Sequence, residues 1–405
     1  MSKPIDLEAQ YCAQNYKPLP VVLTKGSGAY VWDEHGKKYL DMMSAYSAVS
    51  HGHANPRLVN VAKEQLDTLS IVSRAFYTDK LGAFLERACE LTGQDKALPM
   101  NTGAEAVETA IKAVRKWAYT VKGVPADQAE IIACNGNFHG RTTTIVAMSS
   151  EPSYKQDFGP FSGGFRLVDY GDIDQLEAAI NDNTAAFLVE PIQGEGGIIV
   201  PPAGFLKAAK ALCEKHNVLF IADEIQTGLG RTGKLLACDH EEVRPDGLIL
   251  GKALGGGLMP VSMFLARTDV MDVYRPGDHG STFGGNPLAA AIGLEALNIL
   301  VEERLAERSA EMGAYLLDKL NDIDSPLIKD LRGKGLFVGV EIEPSMAAAR
   351  EVCEALMERG LLSKETHDTV VRLAPPLVIS KEEIDWAVEQ IADVLAEIDR
   401  TRLAS

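Results

Sequence analysis

Apolar residues in this chain follow two rhythms, short unbroken runs and stripes at helical spacing. Glu130-Ile-Ile-Ala-Cys134, Ala186-Phe-Leu-Val-Glu190, Val218-Leu-Phe-Ile-Ala222 and Leu248-Ile-Leu250 are short, mostly apolar runs. Runs of this length, without polar alternation, are expected of strands buried on both faces. Between them the period lengthens. Val107, Ala110, Ile111, Val114 and Ala118 fall at i, i+3, i+4, i+7 and i+11, one apolar face of a helix that Asn101-Thr-Gly103 opens. A second helical stretch covers Phe205–Lys215. Strands alternating with helices to about residue 290 predict an α/β fold: a mostly parallel sheet with helices on both faces.

The two ends read differently. Gly28–Gly36 and Lys38–Asp41 suggest a strand pair, and Pro56–Leu69 turns helical. After Pro287 the pattern predicts one long helix over Leu288–Lys319, a strand over Gly335–Ile342, and helices near 345–359 and 381–399. That is an α+β tail, expected as a smaller domain. No internal repeat or low-complexity segment interrupts the chain.

Composition narrows the function. The 405 residues suffice for two domains, and 46% hydrophobic with 24% charged content is ordinary for a globular protein. A net charge of −17 argues against nucleic acid or an anionic membrane as partner. Six cysteines (Cys12, Cys89, Cys134, Cys213, Cys238, Cys353) stand without a C-x-x-C pair, which fits buried thiols in a reducing compartment. The first residues, Met-Ser-Lys-Pro-Ile-Asp-Leu-Glu, match neither a secretory signal nor a transit peptide. No run of about 18 apolar residues predicts a transmembrane span. A cytoplasmic protein is the expectation.

Chemistry concentrates at strand ends. Lys252 follows the run Gly247-Leu-Ile-Leu-Gly251, and Asp223-Glu224 ends the run Val218–Ala222. In open α/β sheets such ends line the ligand crevice. A lysine that can bind a carbonyl carbon, with an aspartate for a pyridinium nitrogen, is the protein's contribution to pyridoxal phosphate chemistry. Taken singly the two residues also read as a surface lysine and a helix cap. Asn101-Thr-Gly-Ala104 offers free backbone N–H groups to an anion, or is an ordinary capped helix start. Phe138-His-Gly-Arg141 supplies a ring that can stack on a flat cofactor and an arginine that can grip a carboxylate. His139 alone reads as structural. Glu190 and Glu195 lie on the Gly-rich stretch Glu190–Gly197, where spacing does not decide between a solvated turn and a crevice wall.

Two motifs point elsewhere. Gly228-Leu-Gly-Arg-Thr-Gly233 matches the dinucleotide pattern G-x-G-x-x-G and supports a nicotinamide-dependent oxidoreductase as the rival class. Yet Asp223–Thr227 separates it from its strand, and no clear helix follows. His51-Gly-His53 lacks the further ligands of a metal site and reads as structural. A non-catalytic binding protein on the same fold is a third possibility.

Together these residues resemble a class III aminotransferase of the fold-type I pyridoxal phosphate enzymes. The markers are Asn101–Ala106, Asn137–Arg141, Glu190–Gly194, Ala222–Gly228, Gly251-Lys-Ala253 and His279–Pro287, in that order over essentially the whole chain. Within the class, Asn15–Pro20, Ser44–Ala48, Ser73–Tyr77 and Arg372–Pro376 are similar to the ornithine δ-aminotransferases. The resemblance implies a seven-stranded, mostly parallel large domain over 48–290 and a C-terminal small domain over 291–405, joined by the N-terminal segment 1–47. It implies pyridoxal 5'-phosphate held covalently by Lys252, with Asp223 on the ring nitrogen, Phe138 stacked, Gly103 and Ala104 at the phosphate, and Gln226 near the phenolic oxygen. Ser281 and Thr282 would reach the phosphate of a partner subunit in a homodimer. Tyr16, Tyr46 and Arg141 would position ornithine, and Arg372 with Glu195 would manage the second substrate, 2-oxoglutarate. His139, Gly194-Glu-Gly-Gly197 and Gly255-Gly-Gly257 depart from the ornithine pattern, the two glycine stretches towards the acetylornithine aminotransferases. A sister activity on N-acetylornithine, or a GABA-type one, stays open.

Overall fold

The computed structural model describes residues 3–403. Its centre is a seven-stranded sheet in the order Lys96–Met100, Ser262–Ala266, Gly247–Leu250, Leu219–Asp223, Thr184–Val189, Glu130–Cys134, Phe165–Val168. All neighbours pair in parallel except Ser262–Ala266, which runs antiparallel to both of its partners. Successive strand residues serve opposite faces. Ile131, Ala186, Leu188, Leu219, Ile221 and Ile249 pack under the Gly103–Trp117 helix on one side. Ile132, Phe187, Val189, Phe220, Ala222, Leu248 and Leu250 pack on the other. Both faces are covered, so these strands show unbroken apolar runs rather than alternation.

The ends of the chain meet. Leu23–Ser27, Tyr30–Asp33 and Lys38–Asp41 form an antiparallel ribbon, and Leu361–Leu362 joins its edge in parallel beside Leu40 and Asp41. A second sheet carries Ile328–Lys334, Phe337–Ile342, Val370–Leu373 and Lys364–Thr366. It holds Arg372 in register with Gly339 and Lys364.

One expectation fails in an informative way. The long helix is two, Pro287–Glu302 and Leu305–Asn321, separated by Arg304 in the left-handed conformation (φ 52°, ψ 45°). Such a backbone costs about 1–2 kcal/mol for a residue with a Cβ. The bend sets Ala306 and Ala310 close against the turns at Gly230 and Gly233, where a side chain on either glycine would collide with them. No glycine or proline marks the break in Val301-Glu-Glu-Arg-Leu305, and the apolar stripe continues through it. The next helix begins only at Ala349, because Glu343 and Ser345 hold the preceding turn. In the central sheet three strands had not been anticipated, Lys96–Met100, Phe165–Val168 and Ser262–Ala266, and outside it neither had Leu23–Ser27, Ile328–Lys334, Leu361–Leu362, Lys364–Thr366 and Val370–Leu373.

Candidate active site

The carboxyl ends of the parallel strands open into a cavity of about 200 Å³ lined by Gly103, Ala104, Phe138, His139, Glu190, Glu195, Asp223, Gln226 and Lys252, among others. Lys252 leaves the Gly247–Leu250 strand with a left-handed backbone (φ 46°), which turns its side chain back over the sheet end. Burial lowers its ammonium pKa to about 8, although the carboxylates of Glu195, Asp223 and Glu190 oppose the shift. At pH 7 roughly a tenth of such an amine is neutral, far more than of an ordinary lysine, and that fraction can act as a nucleophile or base.

Asp223 ends the neighbouring strand and is 4% exposed. One carboxylate oxygen accepts from the Ile225 N–H at 3.1 Å and the other from His139 Nδ1 at 2.7 Å. Burial alone would weaken proton binding by His139, but the Asp223 carboxylate against it raises its pKa overall. The far nitrogen, Nε2, is buried without a partner. Glu190 lies beside this pair, accepting from the N–H of Phe138 at 2.9 Å and of Gly194 at 3.3 Å. Burial pushes its pKa up to about 7, and the charge of Asp223 adds to the rise. His139, read from the sequence as merely structural, is therefore a direct neighbour of the central carboxylate.

The helix start is a capping box. Thr102 Oγ1 accepts from the Glu105 N–H at 3.3 Å, and Glu105 Oε2 accepts from the Thr102 N–H at 2.8 Å. The next N–H groups, from Gly103 and Ala104, remain at the cavity wall. Gln226 approaches because residue 194 is glycine: a Cβ there would stand 2.1 Å from its Oε1.

A second cluster adjoins. Arg372 Nη1 donates to Glu195 Oε1 at 2.6 Å, and the guanidinium lies 4.9 Å from the Tyr46 ring centre. The backbone beside Glu195 is gripped on both sides, by Thr366 Oγ1 donating to Glu195 O and by Arg332 donating twice to Gly197 O. Any release of Arg372 is thus a rotation of the Glu195 side chain. Arg141 lies 3.6 Å above the Tyr154 ring, which meets Phe138 edge to face. Nothing local in Pro152-Ser-Tyr154 announced that role.

Other candidates fall outside this chain's cavity. Tyr16 is 74% exposed on the N-terminal arm. Ser281 accepts from Asn101 Nδ2 at 2.9 Å, while Thr282 and Phe283 point outward. The Gly228–Gly233 stretch lacks dinucleotide geometry: a short turn of helix, Ala237–Glu241, follows it, and Arg231 is wholly buried inside the turn. His51 hydrogen-bonds Ala296 O at 2.9 Å and His53 hydrogen-bonds Asp41 at 2.7 Å.

A neutral-prone lysine and a buried carboxylate on adjacent parallel strands, facing a helix start and an aromatic ring, suit one cofactor. Pyridoxal phosphate matches this set in charge and shape: an aldehyde for Lys252, a ring nitrogen for Asp223, a phosphate for Gly103 and Ala104. Fold and site together define a fold-type I, pyridoxal phosphate-dependent aminotransferase.

The chain belongs to the aminotransferase class-III family, whose model matches residues 11–395. An ornithine aminotransferase of Halalkalibacterium halodurans is 59% identical over 392 residues, covering 96% of this chain and 98% of its own. Among solved structures, an ornithine aminotransferase from Toxoplasma gondii ME49 superposes with a TM-score of 0.96 at 47% identity, covering 98% of this chain and 95% of its own. An acetylornithine aminotransferase from Elizabethkingia anophelis gives 0.88 at 48%, covering 97% of this chain and 98% of its own.

Proposed function

We propose that this aminotransferase moves the δ-amino group of L-ornithine to 2-oxoglutarate in two half-reactions, releasing glutamate 5-semialdehyde and then L-glutamate. The carrying observation is the Arg372–Glu195 contact at 2.6 Å beside the Lys252 cavity, with a second arginine, Arg141, over the rings of Tyr154 and the cavity-lining Phe138. Glutamate presents its α-amine, so its α-carboxylate must meet a cation near Lys252; Arg372 is placed for that. Ornithine presents its δ-amine, so its α-carboxylate must be held farther away, by Arg141 with Tyr16 and Tyr46. Glu195 covers Arg372 in that half and keeps ornithine from binding the wrong way round.

Pyridoxal phosphate supplies an electron sink when bound. The protein does the rest. Asp223, fixed by the Ile225 N–H and by His139, keeps the ring nitrogen charged. Phe138 and Gln226 orient the ring, and Gly103 and Ala104 bind the phosphate. Lys252 Nζ is the group that would move the proton to and from the substrate carbon bearing the amine, a role suited to its lowered pKa.

The working unit in this reading is a homodimer. Thr282 is exposed and Ser281 half-buried, neither lines this chain's own cavity, and in this reading both complete a partner's phosphate site. Phe76, Tyr77 and Phe283 expose large apolar surface of the kind an interface covers. The domain division proposed is 1–47, 48–290 and 291–405. Among the described residues no helix is long and apolar enough to cross a membrane, and all six cysteines are free thiols. Free thiols, four of them buried, suit a reducing compartment, and the proposed location is the cytoplasm.

N-acetylornithine is the second reading, supported by the Gly194–Gly197 stretch and the likeness to the Elizabethkingia protein. A panel of ornithine, N-acetylornithine, GABA and lysine, each with 2-oxoglutarate, separates them. Ornithine should be turned over fastest; faster turnover of N-acetylornithine would overturn the assignment.

A further inference from the structure

Tyr46 reaches Arg372 through an unusual backbone. Ser44, Ala45, Tyr46 and Ser47 have φ of 43°, 48°, 58° and 74°, four successive residues in the left-handed region without a glycine among them. Such a turn persists only where its surroundings over-determine it. Asp41 Oδ1 accepts from the N–H of Met43 at 2.8 Å and of Ser44 at 2.9 Å. Ser44 Oγ donates to Ala374 O at 2.6 Å, and Ser50 Oγ donates to Ser47 O at 2.9 Å.

Arg231 binds all of this together. It is fully buried, and burial lowers its guanidinium pKa to about 9, with hydrogen bonds only to neutral groups among the described residues. Nη1 donates to Leu336 O at 2.8 Å and to Pro375 O at 2.6 Å. Nη2 donates to Ser44 Oγ at 3.2 Å and to Ser50 Oγ at 3.0 Å. A buried cation whose one charge partner, Asp41, acts only from beyond ion-pair distance is a poor device for stability. Its four contacts are instead distributed with a purpose. Ser44 precedes Tyr46 by two residues, and Pro375 follows Arg372 by three. One rigid fork thus spans the bases of the two side chains that meet at 4.9 Å in the site.

We propose that Arg231 is a positioning residue for carboxylate recognition: its guanidinium ties the left-handed turn Ser44–Ser47 to the segment after Arg372 and so sets the separation of Tyr46 and Arg372. The inference rests on reading Arg372 as the site for the acceptor's carboxylate. It assigns the G-x-G-x-x-G-like stretch a role unrelated to nucleotides, that of carrying this arginine into the junction.

The test uses the pyridoxal phosphate-loaded enzyme and glutarate, an unreactive dicarboxylate, as probe. Arg231→Lys keeps a charge but loses the fork. The double variant Ser44→Ala, Ser50→Ala keeps Arg231 and removes two of its acceptors. Each should retain the cofactor's visible absorbance while losing glutarate affinity roughly tenfold or more, since displacements near 1 Å at a recognition site have effects of that order. KM for 2-oxoglutarate should rise in parallel, with a smaller change in kcat. Arg372→Lys is measured alongside. Weak glutarate binding in Arg372→Lys with binding within twofold of wild type in the folded Arg231 and serine variants would overturn this inference alone. Undiminished binding in all of them would overturn the carboxylate reading beneath it. If Arg231→Lys does not fold, Arg231→Gln, which leaves both serines and their own bonds to Ala374 O and Ser47 O in place, decides in the same way.

Discussion

Replacing Glu195 by alanine should change which end of ornithine reacts. In the native site Arg372 donates to Glu195 at 2.6 Å, and the two side chains are 5% and 22% exposed. The arginine is therefore desolvated, and its charge is masked by one partly solvated carboxylate. In Glu195→Ala the guanidinium is bare throughout the cycle, with Nε already lacking a partner. A charge-assisted hydrogen bond of this kind contributes about 1.5–3 kcal/mol. At about 1.4 kcal/mol per tenfold, ornithine's α-carboxylate would shift towards Arg372 by roughly ten- to hundredfold relative to Arg141. Ornithine would then present its α-amine and yield a 2-oxo acid that keeps its δ-amine. The glutamate half-reaction should be unchanged or faster, because its α-carboxylate meets an unmasked arginine. Single-turnover absorbance of each half-reaction, with chromatography of the ornithine product, measures both effects. Equal slowing of the two halves with only the δ-aldehyde formed would refute the switch and make Glu195 a general contributor to catalysis or folding.

Three further outcomes are expected. Asp223→Asn should bind pyridoxal phosphate yet lose about 100-fold or more in turnover, as a neutral partner cannot keep the ring nitrogen charged; a rate within about threefold of wild type would make Asp223 a cap for Ile225. Burial lowers the Lys252 pKa to about 8, so its neutral fraction grows as pH rises through that value. In cofactor-free protein, acylation of Lys252 followed by mass spectrometry should therefore reach half its maximal rate near pH 8, and a rate still climbing above pH 10 would refute the shift. Mixing Lys252→Ala and Thr282→Ala chains should restore one complete site per mixed dimer, so turnover above the sum of the two parents is expected; its absence would refute the shared site.

Much of the large domain was legible in the sequence, because burial on both faces leaves a local trace. The runs ending at Cys134, Glu190, Ala222 and Leu250 are strands, and the stripe from Val107 to Val114 is a helix. Lys252 and Asp223 could be singled out for the same reason, each standing where an apolar run stops. The limits came where two different structures leave one pattern. An apolar stripe continues through Arg304, so the helix break there depends on Ala306 and Ala310 meeting the Gly230 and Gly233 turns. The direction of Ser262–Ala266 depends on its partners, since parallel and antiparallel central strands bury the same residues.

Side-chain partnership is decided by the tertiary structure alone. His139 lies 84 positions from Asp223, and Glu195 lies 177 from Arg372, a pair that the family resemblance implied and no pattern in the chain revealed, yet each pair is in hydrogen-bond contact. No periodicity relates residues so far apart. Only the stacking of strand ends against the C-terminal sheet brings them together. The left-handed turn at Ser44–Ser47 is the clearest case. Its residues favour other conformations locally, and its geometry is imposed by Asp41, Ala374 and Arg231 from three separate parts of the chain. The sequence determined four strands of the sheet, the helix packed on one of its faces and the two strand-end residues, because local burial specifies them. The distances that distinguish one carboxylate from another were set when the ends of the chain folded back over the sheet.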